Sequence, residues 1–187
     1  MQASGPRYRP RVPNLIAPTV RLHAAWLECR DDWGPGVHED GFGLHAEDDV
    51  DSPDGFAAWV NRVVRMADPA EDIGAGMVRC THRWIVEDGQ VLGAIALRHE
   101  LNDSILRALG QIGYGVRPSA RRRGLARWAL GEMLGEARAL GLGRVLITCA
   151  VANVASARTI EHHGGVLEDI RDTELGTVKR YWIALDE

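Results

Sequence analysis

The sequence predicts a mixed α/β protein: a twisted, mostly antiparallel sheet of about six or seven strands flanked by about four helices, and not a doubly wound parallel sheet. Three observations carry that expectation. Two helical stretches come first, and at Met77 the apolar spacing changes from helical to strand-like. An Asp-Gly pair, Asp88-Gly89, then separates two strand-like runs, as in a tight hairpin. From Gln111 onward the chain alternates strand, helix, strand, helix, strand.

Taken in order, residues 1–13 are rich in Pro and Arg and read as a flexible lead-in to a single domain spanning 1–187. Asn14-Leu15-Ile16 is a short strand candidate. Thr19 can cap a helix to about Cys29, with Val20, Ala24 and Leu27 on its inner face. The stretch from Asp31 to Asn61 holds nine acidic residues and no Lys or Arg. Its first half is glycine-rich and reads as a loop. Ser52-Pro53 opens a second helix, with Phe56, Val60, Val63 and Val64 as its stripe and Asp68-Pro69 after its end. Met77–Val86 and Val91–Leu97 are the hairpin strands, and Gln111–Val116 is a third. Leu125–Leu140 is helical, with Ala126, Leu130, Met133, Ala137 and Leu140 aligned and glycines after it. Arg144–Cys149 reads as a buried strand, and Asn153 starts a helix to His163. Val166–Ile170 and Arg180–Leu185 complete the sheet.

Composition narrows the function. The chain has 187 residues, 45% hydrophobic and 26% charged, with a net charge of −4. No global basicity points to nucleic acid. Three well-separated cysteines, Cys29, Cys80 and Cys149, make no disulfide framework, and a reducing cytoplasm is expected. The N-terminal stretch has no apolar core like a signal peptide's, and no apolar run approaches the roughly 18 residues of a membrane span. His162-His163 are adjacent on a helix and point apart, so no metal is expected.

The segment with chemical content is Val116-Arg117-Pro118-Ser119-Ala120-Arg121-Arg122-Arg123-Gly124-Leu125-Ala126. It joins a strand to a helix, and Gly124 and Ala126 let a ligand approach the backbone. The first N–H groups of the helix lack internal partners and sit at the positive end of its dipole. Such a turn suits a pyrophosphate. A solvated basic loop is the plainer alternative. No GxxxxGK[ST] or GxGxxG pattern is present, which speaks against a phosphate-loop NTPase and a dinucleotide fold.

Arg121-x-x-Gly124-x-Ala126 resembles the cofactor-loop motif of the GNAT superfamily of N-acetyltransferases, Arg/Gln-x-x-Gly-x-Gly/Ala. Thr148–Ala157, with Asn153-Val154-Ala155-Ser156, resembles the end of that family's fifth strand and the start of its next helix. Glu161-His162-His163-Gly164-Gly165 resembles the end of that helix, with Gly165 where a Phe is common. The resemblance covers about Gln111–Gly165 and extends more weakly back to Trp84. Leu97–Asn102, Ile112-Gly113-Tyr114 and Val116-Arg117-Pro118 are similar to a bacterial branch of acetyltransferases.

The resemblance implies a GNAT fold with splayed central strands and an acetyl-CoA-dependent N-acetyltransferase. It implies that the pantetheine arm pairs with strand backbone at Tyr114 and Val116. The pyrophosphate would take N–H groups of Arg121, Arg122, Arg123, Gly124, Leu125 and Ala126, and Asn153 and Ser156 would contact the arm. An N-cap is the ordinary use of Asn153. The chain departs from the family where some members carry a glutamate, here Gly110-Gln111, and where many carry a tyrosine, here Ile160. His99, Glu100 and Asp103 are then the nearest polar candidates for proton transfer; ordinary turn residues are the other reading. Cys149 reads as a small core residue, so direct attack by the amine is expected. The acceptor would be a small-molecule or peptide amine, and a homodimer is compatible. The acidic stretch is most simply a solvated loop; its functional reading is an attractor for a cationic acceptor. A non-catalytic acyl-CoA-binding sensor or scaffold is the rival class.

Overall fold

The computed structural model describes residues 12–34 and 41–185. The lead-in expected at residues 1–13 lies, up to residue 11, outside the described residues, as do 35–40 of the acidic stretch. In order the elements are β1 (Asn14–Ile16), α1 (His23–Trp33), α2 (Pro53–Arg65), β2 (Cys80–Glu87), β3 (Gln90–Arg98), β4 (Ile112–Val116), α3 (Leu125–Ala139), β5 (Arg144–Ala150), α4 (Val154–His162), β6 (Val166–Thr173) and β7 (Gly176–Ala184). Single 3₁₀ turns precede α1 and α3, and a π turn, Ile105–Leu109, lies between β3 and β4.

The strands form two antiparallel sheets, ordered β1-β2-β3-β4 and β5-β7-β6. The expected splay is the break between them, at β4 and β5. The Asp88-Gly89 hairpin forms, with both residues at positive φ, 50° and 78°, as a type I′ turn requires. Ser52 caps α2 by accepting from the Gly55 N–H at 3.1 Å, and Pro53 starts the helix.

Two cores lie on opposite faces of the first sheet. Leu92, Ile95 and Leu97 of β3 join Leu130, Met133 and Ala137 of α3, with Ile147, Ile160 and Tyr181 from the second half of the chain. On the other face Trp26, Phe56 and Trp59 of α1 and α2 pack on Trp84. The Trp26 and Trp59 ring centroids are 4.9 Å apart, and those of Trp59 and Trp84 5.8 Å. β3 is therefore covered on both faces.

Several expectations shift in detail. α1 continues past Cys29 to Trp33, since nothing in Arg30-Asp31-Asp32 breaks a helix before Gly34, at φ 75°. Its buried residues are Trp26 and Cys29; Val20 is 49% exposed. The larger indole draws the helix round by about one position. Val64 and Leu140 likewise lie on exposed faces. β2 starts at Cys80 rather than Met77, and β6 and β7 are each longer than expected. Trp59 is core, whereas Trp182 is half-buried, with the Arg144 guanidinium carbon 4.0 Å from its ring centroid.

Candidate active site

The register of β3 and β4 decides which backbone groups face the gap. Arg98 N–H donates to Gln111 C=O at 2.8 Å, and Arg117 N–H to Leu92 C=O at 2.8 Å. In an antiparallel ladder these are hydrogen-bonded pairs, and the parity alternates between them. Gly113 and Gly115 therefore bond to β3. Ile112, Tyr114 and Val116 turn their backbone groups away from β3, toward β5.

At the closed end of the gap sits Gln111, 2% exposed. Its N–H donates to Leu146 C=O at 2.6 Å, its Oε1 accepts from Leu146 N–H at 3.0 Å, and its Nε2 donates to Arg98 C=O at 3.4 Å. The residue thus keeps its carbonyl on the β3 ladder, turns its N–H to β5, and covers the Arg98 carbonyl with its side-chain amide. Gly110 before it has φ 68°, and a Cβ there would stand 2.9 Å from the Thr148 nitrogen, so the approach of the two strands excludes any side chain.

Beyond Gln111 the strands diverge around a groove of about 680 Å³ that runs from Tyr114 to the start of α3 and along α4. Tyr114, Val116, Arg121, Arg122, Gly124, Leu125, Ala126, Asn153 and Ser156 all line it. Among the described residues none that lines it is acidic, and Arg127 adds a third guanidinium. Gly124, at φ 78°, is the residue before α3, and a Cβ on it would meet nothing within 4 Å. The first N–H groups of a 15-residue helix are thus presented beside open space. Across the groove the Tyr114 hydroxyl lies 2.9 Å from Ser156 Oγ, and Asn153 caps α4 by accepting from the Ser156 N–H at 3.0 Å.

Three expected site residues are not among those lining the groove, though the expectation for Arg123 concerns its backbone N–H, which stays in the turn between Arg122 and Gly124. Arg123 does not line the groove; its NH2 donates to both carboxylate oxygens of buried Glu87, at 2.8 and 2.7 Å, so it pins the turn to the β2–β3 hairpin. His99 and Glu100 follow the end of β3 by the closed end of the gap and do not line the groove. His99 Nε2 is 2.8 Å from Thr81 Oγ1, and burial pushes its pKa down, partly opposed by Glu100. Cys149 is buried in β5. Four acids in the described part of the stretch are taken up in ion pairs: Arg30 with Asp31 and Asp51, Arg62 with Asp48 and, across the fold, Arg117 with Asp32. That favours the solvated-loop reading over an attractor.

The residues missed from sequence are Trp33, Arg127 and Thr159, which line the groove, and Gln111, which sets its closed end. Arg127 and Thr159 follow from helical geometry once α3 and α4 are placed. Trp33 gave no signal because α1 was expected to stop short of it. The arrangement suits an elongated ligand, anionic where it meets the basic turn and hydrogen-bonding along the β4 edge. Among the described residues no cluster of potential metal ligands is present.

Residues 38–166 match the family described as Acetyltransferase (GNAT) domain. A search of curated proteins returns no match. Solved structures share the fold at low identity. One is yncA from Salmonella typhimurium, solved with its cofactor acetyl-CoA: TM-score 0.63, 16% identity, 96% of each chain covered. Another is the microcin C7 self-immunity acetyltransferase MccE, in complex with acetyl-CoA and AMP: TM-score 0.67, 14% identity, 98% of this chain and 97% of that one. A third, from Salmonella typhimurium, modifies the N-terminal serine of ribosomal protein L7/L12: TM-score 0.66, 16% identity, 93% and 95% covered. The family match spans more than half of the chain and coincides with the split sheet and the basic turn: this protein belongs to the GNAT acetyltransferase domain family.

Proposed function

We propose that the protein is an acetyl-CoA-dependent N-acetyltransferase that moves the acetyl group to an acceptor amine by direct attack. The observation that carries this reading is the continuity of the groove, in which the outward-facing edge of β4 leads into the unpaired N–H groups and arginines at the start of α3. The acetyl-CoA bound by two of the similar structures supports the same ligand. Bound acetyl-CoA supplies an activated acyl carbonyl. On this reading the chain's own groups divide the work. Arg121, Arg122 and the first N–H groups of α3 hold the diphosphate. The Val116 N–H faces the gap as a hydrogen-bond donor to a developing oxyanion. Cys149 is a core residue and takes no acetyl group, and the amine's proton leaves through water, because His99 and Glu100 stand off the groove. Three buried cysteines, none of them in a disulfide, fit a reducing cytoplasm. The acceptor is an amine on a small molecule or a peptide.

The test is calorimetric titration with acetyl-CoA, followed by thiol release with a panel of amines and peptides. Micromolar binding and amine-dependent thiol release are expected, with most activity kept in Cys149→Ala and no acetyl mass on denatured enzyme. Binding without release by any amine would favour the sensor class. No binding would remove the reading altogether.

A further inference from the structure

The end of α1 reaches the groove through two adjacent residues. Asp32 accepts three hydrogen bonds from the chain just ahead of the basic turn: Arg117 Nε at 2.9 Å, Ser119 N–H at 3.0 Å and Ser119 Oγ at 2.7 Å. Trp33 lines the groove itself. The Arg121 guanidinium carbon lies 5.0 Å from the centroid of the Trp33 ring, within cation–π range. Arg121 Nε also donates to Val116 C=O at 3.0 Å. One face of this guanidinium is therefore backed by the indole and one nitrogen is tied to β4. An arginine on an exposed loop ordinarily samples many rotamers. Here the contacts restrict it in the absence of any ligand, leaving its two terminal nitrogens as the donors an anion would meet. Neither Asp32 nor Trp33 belongs to the loop or strands that make the rest of the groove, and both come from a helix packed on the far face of the first sheet.

We infer that the end of α1 is a specificity-determining part of the donor site, selecting for a nucleotide diphosphate. Trp33 contacts that half of the ligand and fixes Arg121 as a phosphate donor. Asp32 is a positioning residue, holding the Pro118–Ala120 turn from which Arg121 projects. The inference rests on the acetyl-CoA reading above and adds to it a wall that the loop motif does not contain. It implies that discrimination between coenzyme A and a bare acyl-pantetheine is made partly by α1.

The experiment titrates three ligands into the full-length wild type, Trp33→Ala, Trp33→Phe and Asp32→Asn by calorimetry, with thermal midpoints as a check of folding. The ligands are coenzyme A, its nucleotide half 3′-phospho-ADP, and its thiol half pantetheine. Trp33→Ala is expected to weaken coenzyme A and 3′-phospho-ADP about tenfold each, the size of a partly desolvated cation–π contact, with pantetheine unchanged. Trp33→Phe keeps a ring under the guanidinium and is expected to recover most of the loss. Asp32→Asn is expected to give a smaller loss with the same selectivity. Unchanged affinity of Trp33→Ala for coenzyme A and 3′-phospho-ADP, or a loss shared equally by pantetheine, overturns the inference while leaving the donor reading intact. Failure of the wild type to bind coenzyme A overturns the donor reading first.

Discussion

Gln111 makes hydrogen bonds to both of the strands that part beyond it, and its burial makes each of them expensive to lose. Gln111→Ala strips the Leu146 N–H and the Arg98 carbonyl of their partners, at about 1–3 kcal/mol for each group left buried and unpaired. Gln111→Glu keeps the acceptor, loses the donor and adds a buried charge. Both variants are expected to lower the urea midpoint of unfolding, with the glutamate variant losing further stability as pH rises through its ionisation. A glutamate variant as stable as the wild type at pH 8 would count against the clasp. From sequence alone Gln111 reads as the place where a family glutamate is missing. Its partner Leu146 is distant in sequence, and no local pattern announces a side chain that serves two strands. Arg123 illustrates the same limit: the motif places it in the turn, but the buried Glu87 that draws its side chain away belongs to another hairpin.

The elements whose signals are local were the legible ones. Ser52-Pro53 opens α2, Asp88-Gly89 turns the hairpin, and Asn153 caps α4, each through chemistry contained within a few residues. Faces and ends were less legible than the elements themselves: a single indole, Trp26, outweighs the smaller residues that suggested another stripe on α1, and α1, β2, β6 and β7 have other bounds than expected. The turn before α3 carries the most pointed prediction at this scale. A Cβ at Gly124 meets nothing within 4 Å, so Gly124→Ala fits sterically and suffers only the left-handed backbone, at roughly 1–2 kcal/mol. Gly124→Glu adds a carboxylate beside the diphosphate position. Both variants are expected to fold, judged by circular dichroism. The alanine variant is expected to bind acetyl-CoA several-fold more weakly and the glutamate variant not at all at millimolar ligand. Equal affinities for the two would show that no anion sits there.

For the whole molecule, α1 and the basic turn are joined through Asp32, and that joint is sensitive to acid. Hydrogen bonds from Ser119 and Arg117 hold the Asp32 carboxyl at about 2, below its ordinary 3.8. A carboxyl whose folded pKa is depressed contributes stability that is full above the unfolded value and is lost as pH falls through the folded one. The urea midpoint of the wild type is therefore expected to exceed that of Asp32→Asn at neutral pH, with the gap closing between about pH 4 and pH 2. A gap independent of pH would mean that the charge is not what ties α1 to the turn. The division into two sheets has a different consequence, one of solvent access along a single strand. Val116 turns its N–H away from β3, whereas Gly115 next to it is paired with Ala94. Adjacent amides of β4 should consequently exchange with deuterium on very different schedules, Gly115 only when the sheet opens and Val116 much sooner. Acetyl-CoA lying in the gap would slow Val116 while scarcely altering Gly115, so the odd–even contrast along β4 would fade on binding, a change that exchange measured residue by residue can follow without any knowledge of the acceptor.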